Sequence, residues 1–349
     1  MPGVLRFCVI GWSGLILILG LLGCGSRSDT VVSIALHPTK PNILYVATDE
    51  AVYKSSDTGA TWQRLADDLS RTRVISLAVD PVLPANVFAG TMGDGTYKSS
   101  DGGRTWHQFN EGIQKGTISA IVNHLVFNPL GTEMIYAATT VGVFRSMDGG
   151  RTWKERMNGM NEVSFVVTLA IDPQRPNVLF AGTTGGVYRT TNATETWEKK
   201  TTGMVAFDAK MASMALGVNG IVIDPTNSDI VYAGTTKGLY KSMDQGEHWT
   251  KIEGSIADSY VSAIQFDPVK PSVLYLATSD RVQKSEDSGA TWQPMTTGLD
   301  ATSIRSLQVS PQDSRILYVG TNGGGLYRSL NGGETWARLP LTPAVEKEM

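Results

Sequence analysis

An eight-residue segment ending in tryptophan recurs along the whole chain, and no other feature restricts its folding so tightly. "SSDTGATW" (55–62), "SSDGGRTW" (99–106), "SMDGGRTW" (146–153) and "SEDSGATW" (285–292) are close copies. "SLNGGETW" (329–336) keeps the same frame, while "TTNATETW" (190–197) and "SMDQGEHW" (242–249) are looser. The closing residues are Trp62, Trp106, Trp153, Trp197, Trp249, Trp292 and Trp336, spaced 44, 47, 44, 52, 43 and 44 apart. A period in the forties is the signature of stacked supersecondary units such as propeller blades.

A second ruler runs in step with the first. A proline follows a short apolar run in every unit: Pro38, Pro81, Pro129, Pro173, Pro225, Pro268 and Pro311. Each lies 24 or 25 residues before the next tryptophan, so the large length variation falls between a tryptophan and the following proline. The constant part is scaffold and the variable part is loop.

Each unit reads as four strands. In the first they are "VVSIALHP" (31–38), "ILYVAT" (43–48), "AVYKSS" (51–56) and "TWQRL" (61–65). β-branched and aromatic residues fill the runs, and Pro, Asp, Asn and Gly fill the joins. The first run is the most apolar, as in "VISLAV" (74–79) and "VVTLAI" (166–171), and predicts an inner strand covered on both faces. Four strands repeated seven times predict an all-β, seven-bladed β-propeller of four-stranded antiparallel blades over residues 31–341. A solenoid needs atypical capping units, and the first and last units here are ordinary.

The N-terminal 23 residues have another character. Arg6 precedes the apolar run "FCVIGWSGLILILGLL" (7–22), and small residues follow in "LLGCGS" (21–26). A basic start, a short apolar core and a small-residue end form a secretory signal, and the run is short for a spanning helix. "L-L-G-C" resembles the bacterial lipobox. That resemblance implies cleavage after Gly23 and a lipid on Cys24, with residues 24–30 as a tether. It implies a place in the bacterial cell envelope, on the periplasmic or cell-surface side; Gly25, in place of a retention aspartate, favours the outer membrane where there are two membranes. The alternative is an uncleaved anchor helix. Cys8 and Cys24 are the only cysteines, so a processed chain has no thiol for a disulfide, metal or nucleophile. Residues 342–349 read as a loose tail.

The octet S-x-D-x-G-x-T-W resembles the Asp-box, or BNR repeat, of sialidases, sortilin-type receptors, xyloglucanases and photosystem II assembly factors. In that family it forms the hairpin between the third and fourth strands. The physics agrees: a carboxylate or amide at Asp57, Asp101, Asp148, Asn192, Asp244, Asp287 or Asn331 can accept turn amides. Glycine two positions on takes a positive φ at no steric cost, and the tryptophan offers a broad apolar face. Thr194 replaces that glycine and His248 replaces the threonine, which puts the geometry of those two turns in question. Seven copies around a ring cannot converge on one substrate, so the octets read as structural.

Catalytic motifs are absent. The four histidines, His37, His107, His124 and His248, have no metal-ligand spacing, and no metal or cofactor is expected. The sialidase F-R-I-P signature is missing, and the length holds one propeller rather than the two of a xyloglucanase. Asp49, Asp94, Asp208 and Asp280 fall in loops, but nothing selects a pair for glycoside hydrolysis. A net charge of −3 leaves no footprint for nucleic acid.

Alternation of the strands puts the proline and octet turns on one face. The second-to-third-strand turns and the variable connections share the other, here the loop face. Its longest insertion is "EKKTTGMVAFDAKMASMALGVNG" (198–220), where Met204, Phe207, Lys210 and Met211 suit a protein contact or a cover over the mouth. Arg71, Arg73, Lys115, Lys237, Arg281 and Arg305 fall on the same face and could meet an acidic partner. A single propeller with a lipobox is most similar to the photosystem II stability and assembly factor-like family. That resemblance implies a non-catalytic scaffold binding another envelope or membrane protein; a glycan-binding or glycan-hydrolysing propeller is the alternative.

Overall fold

The computed structural model describes residues 30–65, 69, 71–113, 121–161, 165–204, 217–300 and 303–341. Among these, 28 strands form seven four-stranded antiparallel sheets, each built from four consecutive strands. Blade 1 comprises Val31–Leu36, Leu44–Thr48, Val52–Ser55 and Gln63–Arg64, from channel to rim. The outermost strands have only two or three residues, shorter than the tryptophan-containing runs expected.

In six of the seven blades the turn after the inner strand is held by the residue before the proline; in blade 7 the Ser310 hydroxyl is buried without a partner. Asp80 Oδ1 accepts the N–H groups of Val82 and Leu83, both at 2.9 Å. Asp172, Asp224 and Asp267 repeat this, and in blade 1 His37 Nδ1 accepts from Thr39 and Lys40 at 3.2 and 3.1 Å. Burial of these four aspartates is therefore compensated.

Burial corrects one expectation. The inner strands are not covered on both faces: Val31–Leu36 mixes buried and half-buried residues. The second strand is the one buried throughout, in all seven blades. It has a strand on either side and a neighbouring blade over each face, whereas the inner strand borders the channel. A β-bulge recurs near the start of every inner strand and skips its second residue, as with Val32 and Arg305.

The octets close as a hydrogen-bonded clasp. Ser55 Oγ donates to Asp57 Oδ1 at 2.8 Å and accepts from Gly59 N–H at 2.7 Å. Asp57 then accepts from the N–H and Oγ1–H of Thr61 at 2.8 and 2.6 Å. The two divergent turns keep this geometry. His248 donates its N–H to Asp244 Oδ1, and its ring Nδ1 lies 2.7 Å from Oδ2, where a threonine hydroxyl sits elsewhere. Thr194 adopts φ +75°, and its N–H donates to Thr190 Oγ1 at 3.2 Å. That costs strain in a β-branched residue, and the buried Thr194 hydroxyl has no partner. Thr194→Gly is expected to raise stability by about 1 kcal/mol; an unchanged or lower midpoint in thermal denaturation would contradict this.

Seven apolar clusters hold the ring, each shared by two adjacent blades. The seven tryptophans are 1–9% exposed and belong to these clusters. Four of them donate Nε1–H to a carbonyl at or just past the end of the previous blade's outer strand: Trp153 to Phe109, Trp197 to Arg156, Trp249 to Lys200 and Trp336 to Met295. A second link runs the other way. The cation just before each octet reaches the next blade's octet carbonyl: Lys54 to Gly102, Lys98 to Gly149, Arg145 to Ala193, Arg189 to Gln245, Lys241 to Ser288 and Arg328 to Thr58. Lys284 instead pairs with Glu286.

Blades 1 and 7 exchange no strand. They meet through side chains: Tyr318 and Arg328 donate to Thr58 O, and Val31, Trp62, Tyr318 and Leu326 pack together. Trp62 Nε1 is buried there without an acceptor.

Candidate functional site

The loop face carries the side chains whose chemistry the repeat does not dictate. At its seam, two blades and two connections meet. Asp49 lies in the second-to-third-strand turn of blade 1, and Arg73, just before blade 2, pairs with it. Arg305, the bulge residue of blade 7, is half-buried, and its Nε has no partner. Burial lowers the Arg305 pKa, while the Asp49 carboxylate opposes that and Arg73 adds to it. Tyr260, which precedes blade 6, lies near enough to interact with Arg305 and is 38% exposed.

The remaining candidates separate. Arg281 donates Nε–H to Asp280 at 2.8 Å, and that hydrogen bond holds the Asp280 carboxyl below its ordinary range. Lys237 is exposed on blade 5, close enough to Asp258 to help lower its pKa. Arg71 is exposed in the connection before blade 2. The loop face thus interleaves both signs rather than gathering cations alone.

Met204 needs correction as a contact residue. It is 8% exposed and packs with Phe180 and Trp249 between blades 4 and 5. Its N–H closes a turn on Thr201 O, so the segment just past the outer strand serves as core. Cys24, Lys115, Phe207, Asp208, Lys210 and Met211 lie outside the described residues.

The octet residues stay with the scaffold. Hydrogen bonds from Thr291 bring Asp287 down to about 2, and those from His248 bring Asp244 down to about 2. Asp101 is held below the ordinary carboxylate range, chiefly by the Thr105 N–H. Among the described residues no group of three or more His, Cys, Asp or Glu side chains could hold a metal ion.

Two histidines set an acid limit. His124 Nδ1 accepts the Leu169 N–H of the next inner strand at 3.2 Å. Burial lowers its pKa from 6.5 to about 4. His37 is also lowered, by burial and then by Lys40 and Lys54. A depressed imidazole favours the neutral folded form, so its contribution is complete above the unfolded value and is lost as pH falls from 6.5 toward 4. We expect about 2–3 kcal/mol to be lost across that window from His124. Carboxylate loss follows only at lower pH. His124→Ser, matching Ser33 and Ser76, should flatten the decline in denaturation midpoint; an equally steep decline would show that His124 is not its source.

The sequence reading missed the row of cations before the octets. Its signal was present, because Lys or Arg precedes the first octet residue in all seven units. It also missed Tyr260, which no repeat position marks.

Seven four-stranded blades, each clasped by an octet of the Asp-box pattern, make this protein a seven-bladed β-propeller. Comparison with known proteins carries that further. A family model described as "Sortilin, neurotensin receptor 3" matches residues 50–175. A xyloglucanase of Hypocrea jecorina (strain QM6a) is 36% identical over 62 residues, which is 18% of this chain and 7% of that enzyme. The GH74 xyloglucanase from Xanthomonas campestris superposes with a TM-score of 0.71 at 16% identity, covering 90% of this chain and 55% of that one. YCF48 bound to D1 peptide superposes with a TM-score of 0.66 at 15% identity, covering 88% of this chain and 95% of that one. The chain therefore spans a small part of one xyloglucanase, about half of another and nearly all of YCF48, and at these identities the structural likeness is one of fold.

Proposed function

We propose that this propeller is a non-catalytic, lipid-anchored module of the cell envelope that binds another macromolecule, a protein, through its loop face. The observation that carries the reading is the state of the loop-face carboxylates. Asp49 is paired with Arg73 and Asp280 with Arg281. The Asp280 carboxyl is held low, whereas a glycosidase needs one carboxylic acid raised and a second one opposite it. A peptide-carrying neighbour of nearly equal length supports the same reading. The xyloglucanase matches favour a second reading, in which the face binds or cleaves glycan.

One experiment separates the two. The purified chain is incubated with xyloglucan and other envelope polysaccharides while reducing ends are measured, and crosslinking capture from native membranes runs in parallel. We expect no release of reducing ends and a protein adduct. Arg71→Glu with Arg73→Glu should weaken capture about tenfold, because unpaired like charge now opposes docking. Turnover on a defined glycan, or capture indifferent to both reversals, would overturn the proposal.

A further inference from the structure

The direction in which the chain enters blade 1 says which side of the ring faces the membrane. Thr30 is the residue just before the first inner strand, Val31–Leu36. Its hydroxyl lies 3.4 Å from Asn322 Oδ1, and its carbonyl accepts the Asp49 N–H at 3.3 Å. Asn322 and Asp49 both belong to second-to-third-strand turns. The N-terminal end is therefore pinned at the loop face, beside the channel, and not at the octet face.

Covalent geometry bounds what precedes it. From Cys24 to Thr30 is six residue steps, at most about 21 Å of fully extended chain. An inner strand of six residues spans about 20 Å, and four strands at about 4.8 Å spacing put the rim about 14 Å from the channel wall. Reaching the octet face round the rim takes about 34 Å. Threading the channel uses about 20 Å of the tether, which leaves almost no chain to reach a membrane beyond the far face.

We infer that the loop face is held against the membrane that carries the anchor, and that its occupant is the exposed segment of a protein embedded in that membrane. The inference rests on lipidation of Cys24, as proposed above. A protein occupant is favoured over the bilayer by what the face presents. Among the described residues, only Met92 and Tyr260 are large exposed hydrophobics there. Val82, Leu83, Leu130, Met147, Val269, Met243 and Leu330 are exposed on the octet and proline face, which points away. Among the described residues, Arg73 and Arg281 are already paired with aspartates, which reduces the charge free to seek anionic headgroups.

The absence of a second cysteine in a processed chain makes the test direct. Glu50→Cys and Lys237→Cys label the loop face, and Met243→Cys and Leu330→Cys label the octet face. Each full-length, lipidated variant carries a donor dye in vesicles of phosphatidylethanolamine and phosphatidylglycerol containing acceptor-labelled lipid. Energy transfer from positions 50 and 237 should exceed that from 243 and 330 by at least about twofold, given the tether's reach. Equal or reversed ranking overturns the orientation. A chain lacking residues 1–24, with neither the lipid nor the apolar leader, should leave the vesicles; if it stays bound, the bilayer itself is the occupant and the protein-partner inference falls. Absence of lipid on the wild-type chain by mass would instead sink the anchor reading. A photocrosslinker at position 50 of that truncated chain, added to native membranes, should yield an adduct that survives alkaline carbonate. An adduct found only from position 243, or one that washes off, also overturns the inference.

Discussion

Trp249→Ala is expected to remove about 4 kcal/mol of stability, since an indole buried in a packed core is lost together with its cavity-filling contacts. Its ring packs with Phe180, Met204, Val218 and Tyr240 across the boundary of blades 4 and 5. Its Nε1–H donates to Lys200 O at 3.0 Å, so the change also orphans an acceptor of the preceding blade. For a chain this size the denaturation midpoint should fall by about 8 °C. Trp62→Ala should cost about 1 kcal/mol less, because Trp62 Nε1 has no acceptor to lose. Calorimetry of both variants decides the matter. A loss below about 1 kcal/mol for Trp249→Ala would mean that the indoles are not the wedges between blades.

Gly320→Val should be nearly as damaging, and at one place in the ring. A Cβ built at Gly320 stands 2.5 Å from Val31 Cγ1 and 3.0 Å from Val31 Cβ, and it also meets Ser306 Oγ. The equivalent positions hold Gly90, Gly182 and Gly234 or the small Ala47, Ala138 and Ala277, because the next blade's inner strand crosses there. Overpacking of this kind costs about 3 kcal/mol or more when backbone has to move. Blades 1 and 7 have no chain connection or shared strand to hold them, so the strain is released by opening that seam. Hydrogen exchange of Val31–Leu36 and Leu317–Thr321 should accelerate selectively. Gly182→Val, which clashes with Val218 at a chain-connected boundary, is the control. Uniform acceleration in both variants would refute a weak seam.

Blade number, strand order and the octet clasp were legible because each depends on residues close in sequence. Ser55, Asp57, Gly59 and Thr61 meet within a single turn, so their spacing carries their geometry. Thr194 and His248 show the margin of that code: the turn holds at φ +75° without glycine, and an imidazole stands in for a hydroxyl. Local pattern could not foresee either tolerance, since both depend on how firmly the rest of the blade grips the turn.

The loop face was legible only as a list. Arg73, Arg281 and Arg305 were recognisable as basic loop-face residues, but Asp49 and Asp280 neutralise two of them and burial shapes the third. Met204 looked like surface in a long insertion and proved to be core. Pairing and burial are set by neighbours from other blades, for which the sequence holds no ruler.

The amino-acid order alone therefore determined a ring of seven like units, because periodic local hydrogen bonding and apolar patterning repeat in every copy. The tertiary structure alone decided that the second strand rather than the first is sealed on both sides. It also decided that a cation ahead of each octet reaches across to the next blade in six of seven units and that the first and last blades close by side-chain contact. Each of these depends on which surfaces meet when sheets stack around an axis, and that is a property of the assembled ring.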